Sequence, residues 1–136
     1  MQKIKWIKNM QMSGATASGH TIALDGPPES GGENLGARPM ELLLLGLGGC
    51  TTIDVVSTLK KMRQNITDFE VEIESERAVL HPKIFTKIHL KFLIKGENLD
   101  DKKIQKAIEL SATKYCSASI MLGQLAKITH SFEVII

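Results

Sequence analysis

With one tryptophan, one tyrosine and four phenylalanines in 136 residues, the chain has little with which to stack on bases. It also lacks any run of basic residues, and its formal net charge is only +2. Together these features argue against a nucleic-acid partner. No apolar h-region follows Met1-Gln2-Lys3-Ile4-Lys5-Trp6, so no secretory leader is expected. The most apolar stretch, Leu42 to Ile53, is bounded by Glu41 and Asp54 and counts 12 residues, short of a membrane span. The expectation is a cytoplasmic protein without a membrane partner. In a reducing compartment two cysteines are free thiols or a pair that cycles, not a permanent disulfide. Cys50 and Cys116 lie 66 positions apart, which excludes the adjacent-cysteine redox motif and offers no zinc pair. His20, His81, His89 and His130 show no ligand-like spacing, so neither metal nor cofactor is expected. There is no phosphate loop, dinucleotide fingerprint or Ser/His/Asp array.

What remains is the pattern of one α+β domain spanning residues 1–136, without repeats or low-complexity segments. From Lys3 to Met12 apolar residues fall at even positions (Ile4, Trp6, Met10, Met12), which predicts a strand. A turn over Ser13 to Gly19 leads to a second strand, His20 to Asp25. The Pro- and Gly-rich stretch from Gly26 to Ala37 is the one long loop, expected to be the most mobile segment. Pro39 opens a helix that runs to about Gln64 and is apolar nearly all round through Leu59, so it must be covered nearly all round. Gly46, Gly48 and Gly49 would each cost roughly 1 kcal/mol there relative to Ala, which suggests a close approach to the backbone. Phe69, Val71 and Ile73 alternate with glutamates, and Ile88, Leu90, Phe92 and Ile94 with His89 and lysines, predicting an antiparallel hairpin with cross-strand charge pairing. Asp100 or Asp101 caps a further helix with Ile104, Ile108 and Tyr115 on its core side. A short helix after Ser117 and a closing strand holding Phe132, Val134 and Ile136 complete the order ββ–α–ββ–α–α–β.

Two cysteines in a cytosolic domain are commonly core residues. Their settings here are more polar than a core needs. Cys50 follows the glycine cluster and precedes Thr51 and Thr52, and Cys116 stands just before a plausible N-cap at Ser117. Amides at a helix start stabilise a thiolate.

The run from Pro39-Met40-Glu41-Leu42-Leu43 to Gly48-Gly49-Cys50-Thr51 resembles the first signature of the OsmC-like and organic hydroperoxide resistance proteins. Lys114-Tyr115-Cys116-Ser117-Ala118-Ser119 resembles the second. Asp54 to Lys61 and Ile128 to Val134 look like the short branch of that family, so the resemblance covers essentially the whole chain. It implies an OsmC-like fold in which antiparallel sheets wrap a long buried central helix of an intertwined homodimer. It further implies peroxidase chemistry in oxidative stress defence. Cys50, holding the lower pKa, attacks a small-molecule organic hydroperoxide or hydrogen peroxide and becomes a sulfenic acid. Cys116 condenses with it, and an external dithiol of the lipoyl or thioredoxin type reduces the disulfide.

The chain departs from the family pattern where the supporting charges should lie. The usual glutamate position is Met40, leaving Glu41 as a substitute turned by about 100°. No arginine precedes Arg38, so Arg38 and Arg77 are the candidates for the missing loop arginine. Each also has an ordinary role, Arg38 beside a helix start and Arg77 at a strand end. The alternative reading is a non-enzymatic protein of the same fold that binds an apolar ligand at the dimer interface.

Overall fold

The computed structural model describes all 136 residues, Met1–Ile136. In chain order the elements are β1 (Lys3–Lys8), β2 (Gln11–Ala15), β3 (Thr21–Leu24), a 3-10 turn (Pro28–Ser30), α1 (Pro39–Lys61), β4 (Asn65–Arg77) and β5 (Phe85–Glu97). Then follow α2 (Asp101–Leu110), a π-helical turn (Ser111–Tyr115), α3 (Ser117–Leu122) and β6 (Lys127–Ile135). This is α+β architecture with two three-stranded sheets, ordered β1-β2-β3 and β4-β5-β6. The chain divides into two compact units, Met1–Leu45 and Gly46–Ile136, with the boundary inside α1.

In the first unit the strand expected from Lys3 to Met12 is a hairpin. Lys8 pairs with Gln11 across a loop of Asn9 and Met10, and Asn9 takes a left-handed φ of 50°, which asparagine tolerates. The Trp6 indole donates to the Asn9 carbonyl at 2.6 Å. Cross-strand partners Ile4–Gly14 and Trp6–Met12 all stand at even positions. A hairpin of this register therefore carries the same alternation as one long strand. β2 accordingly takes in Ser13 to Ala15, where a turn was expected.

The loop from Gly26 to Ala37 is tied to one buried carboxylate. Asp25 accepts the amides of Gly26, Glu33 and Leu35 at 2.7, 3.1 and 3.1 Å. Burial pushes its carboxyl up, but the three amides and the Arg38 charge pull harder and hold it below the usual value. At the start of α1 the Glu41 carboxylate accepts the Arg38 backbone N–H at 2.8 Å. This is the reach-back half of a capping box, with Pro39 at the first helical position.

In the second unit α1 buries one ridge spaced by four, Leu47, Thr51, Val55 and Leu59. The sheet contributes Ile88, Leu90, Phe92 and Ile94 from one face of β5, and α2 contributes Ile104, Ala107 and Ile108. A Cβ on Gly48 would stand 2.8 Å from Ile73 Cδ1, so this glycine does mark a close approach. Gly46 and Gly49 have nothing within 4 Å of such a position. α1 ends at Lys61, before the expected Gln64, because Arg63 turns left-handed at φ 59° and Gln64 N–H closes on the Leu59 carbonyl.

β4 and β5 form the expected antiparallel hairpin. Glu76 and Lys87 pair at 3.6 Å, but Lys91, opposite Glu72, pairs instead with Glu133 of β6 at 3.5 Å. β6 returns parallel to β5, a crossover that α2 and α3 supply. Asp100 caps α2, accepting the Lys102 amide at 2.9 Å. Tyr115, expected in that helix's core, is 49% exposed. The π turn after Leu110 adds a residue to the cycle and breaks the 3.6 period that would have turned Tyr115 inward.

α1 is long and apolar enough to cross a bilayer by length and composition, because its helix continues beyond the 12-residue uninterrupted run. Only 28% of its most apolar stretch is buried within the chain, so the helix expected to be buried is mostly uncovered in a single copy.

Candidate active site

Cys50 and Asp54 stand four residues apart on α1, hence on one face of one helix. Cys116 arrives from the far end of the π turn, where its amide closes the i to i+5 hydrogen bond on Ser111 O at 2.8 Å. The two Sγ atoms and an Asp54 carboxylate oxygen all lie within 4.8 Å of one another. Both thiols are free, Cys50 half-buried and Cys116 fully buried. Closing an S–S bond of about 2.0 Å from that separation needs side-chain rotation and a small local movement.

Cys116 is itself the N-cap of α3, one residue earlier than expected, and its Sγ accepts the Ser119 amide at 3.4 Å. The Thr51 hydroxyl lies 3.5 Å from the same sulfur and 2.9 Å from the Leu47 carbonyl. Its single proton can serve either, and a thiolate would draw it to sulfur. The Ser119 hydroxyl is buried without a hydrogen-bond partner, free to turn toward the same charge. Burial alone would raise the Cys116 pKa. The Ser119 hydroxyl, Thr51, the Cys50 thiol and the Ser119 amide outweigh it and bring the group below the ordinary thiol value.

For Cys50 the balance is opposite. Burial pushes its thiol up, the Ala118 amide opposes, and the Cys116 and Asp54 charges push further upward. The expectation that Cys50 has the lower pKa is thus reversed. The donors of the α3 start converge on Cys116, and the carboxylate beside Cys50 repels a second negative charge.

The other three candidates have structural engagements. Glu41 caps α1. The Arg38 guanidinium donates to Asn34 Oδ1 at 2.9 Å and to the Gly36 carbonyl at 3.2 Å. Arg77, exposed, donates to the Lys83 carbonyl at 2.8 Å and lies over the Phe85 ring, 5.8 Å from its centroid. The charged residue beside the thiols is Asp54, which receives the Ser111 hydroxyl at 3.3 Å. Its spacing from Cys50 is the signal that points to it in the sequence. Asp54 also lines a cavity of about 220 Å³ with Ile53, Ser57, Thr58, Leu110 and Tyr115.

Residues 31–131 match the family model of OsmC-like protein. Protein YhfA of Escherichia coli (strain K12) is 44% identical over 133 residues, covering 98% of this chain and 96% of that protein. A crystal structure of a protein from Aquifex aeolicus VF5 superposes with a TM-score of 0.87 at 31% identity, covering 99% of this chain and 95% of that one. The organic hydroperoxide resistance protein OhrB of Bacillus subtilis shares the fold, with a TM-score of 0.66 at 16% identity and 98% coverage of both chains. Matched by the family model over most of its length and by relatives above 30% identity along nearly all of it, the chain belongs to the OsmC-like protein family.

Proposed function

We propose that the chain is a thiol-dependent peroxidase that reduces organic hydroperoxides, or hydrogen peroxide, in the reducing cytoplasm. The observation that carries this reading is the gathering of both sulfurs and the Asp54 carboxylate within 4.8 Å. Cys50 is the more accessible sulfur and the one a peroxide can reach. Its Sγ attacks the terminal, proton-bearing peroxide oxygen; the S–O bond forms, the O–O bond breaks, and the departing alkoxide takes the Cys50 thiol proton to leave as alcohol. That proton passes by way of Asp54, four residues along the same helical face, to the departing oxygen. Cys116 then attacks the sulfenic sulfur, the S–S bond forms and water leaves. An external dithiol of the lipoyl or thioredoxin type exchanges with the disulfide and restores both thiols. The exposed apolar face of α1 supports a homodimer as the working form.

The same face also supports a second reading, an apolar ligand held between two copies with the thiols as bystanders. Peroxide consumption with dihydrolipoamide as reductant separates the two. The peroxidase turns over; Cys116→Ser stops after about one equivalent with a dimedone-trappable sulfenic acid, and Cys50→Ser consumes nothing. Both thiols remaining free after excess hydroperoxide, read by mass after alkylation, would leave the ligand-binding reading.

A further inference from the structure

We infer that Cys50, Asp54 and Cys116 form a binding site for a thiophilic divalent cation, best suited to Zn²⁺. Two sulfurs and one carboxylate oxygen are the donor types that Zn²⁺ takes, and three protein ligands leave the fourth tetrahedral position open. With Zn–S bonds of about 2.3 Å, two tetrahedral sulfurs lie about 3.8 Å apart. The three ligand atoms already lie within 4.8 Å of one another, so closure around an ion asks for shifts of an ångström or less at each. An expectation of no metal follows from two cysteines and scattered histidines alone. The fold adds Asp54 to the pair, on the same helical face as Cys50.

The surroundings suit a ligand set. Ser111 Oγ donates to Asp54 Oδ2 at 3.3 Å and orients the carboxylate, and the Ser119 amide points at Cys116 Sγ from 3.4 Å. Such outer hydrogen bonds hold first ligands in place around metals. Cys116 closes the inner side, while half-buried Asp54 opens on the cavity of about 220 Å³. Asp54 is the ligand that meets this cavity, which Lys61 also lines and neither cysteine does, so the proposed ion would enter along the carboxylate. Binding releases the protons of whichever thiols are still protonated, at most two per ion, and changes no oxidation state. A metal-held dithiolate cannot close a disulfide, so the two states exclude each other.

The test uses fully reduced chain without any peroxide, so its outcome is independent of the peroxidase reading. Anaerobic titration with Co²⁺ should give one ion per chain with thiolate-to-cobalt charge-transfer absorption, abolished by stoichiometric Zn²⁺. Asp54→Asn should keep the absorption and weaken Zn²⁺ at least tenfold. Proton release on adding Zn²⁺ to the unaltered chain gives a readout that does not depend on how any variant folds. Absence of the charge-transfer band at stoichiometric Co²⁺, or Asp54→Asn binding as tightly as the parent, would overturn the site.

Discussion

Cys116 caps α3 with its own sulfur, and this single placement sets the electrostatics of the thiol pair. A serine-type cap normally offers oxygen to the amide two or three residues on; here sulfur does so toward Ser119. The pair was legible as a pair from its two sequence signatures. The order of the two pKa values was not, because it depends on which sulfur the α3 amides meet, a contact 66 residues removed from Cys50. Asp25 shows the same rule in a carboxylate, where three convergent amides outweigh burial. Since its folded value lies below the ordinary 3.8, its stabilisation is present above that pH and is lost as pH falls through the lower folded value. Asp25→Asn places an NH₂ group against amide donors. Its melting temperature at neutral pH should fall by several degrees, and the gap from the parent should narrow as pH is lowered beneath 3.8. Thermal melts of both proteins across the acid range check this; a gap independent of pH would show that the charge of Asp25 is not what holds the loop.

At the scale of elements, α1, the β4–β5 hairpin and the capped α2 follow from periodicity and capping residues that act locally. The β1–β2 hairpin was hidden because a register shift between Trp6 and Lys8 leaves even positions facing even ones along the rest of the pair, and Tyr115 was misplaced because nothing in the sequence announces the π turn. α1 also decides between two roles for Glu41. As a cap its carboxylate satisfies the Arg38 amide; as a catalytic support it would act on the thiols. Glu41→Ala should cost about 0.3–1.5 kcal/mol of stability, whereas Glu41→Gln keeps an acceptor oxygen and most of that stability. If capping is its whole role, both variants oxidise the thiols at the parental rate once folded. A rate lost in both, with stability lost only in the alanine variant, would give Glu41 back its catalytic part. Stopped-flow thiol oxidation beside chemical denaturation reads the two quantities separately.

For the molecule as a whole, the question is what covers α1. Its buried ridge is complete, with Leu47, Val55 and Leu59 at zero exposure. The opposite side presents Gly46, Gly49 and Ile53, and Ile53 is 72% exposed. Water is a poor neighbour for such a stripe, and a second copy of the helix is the cover that the proposed homodimer would supply. The glycines make this testable by sign. In a lone chain a Cβ at Gly46 or Gly49 meets nothing within 4 Å, so Gly46→Ala and Gly49→Ala should each stabilise by about 1 kcal/mol through helix propensity. Against a closely packed partner helix the same methyl groups have no room, and each variant should lose stability and weaken association. Sedimentation equilibrium of the parent should give twice the 15.0 kDa chain mass at micromolar concentration, and Gly49→Leu should shift it toward the single chain. A parent that sediments as a monomer, with both alanine variants more stable, would remove the dimer and leave α1 exposed as it stands.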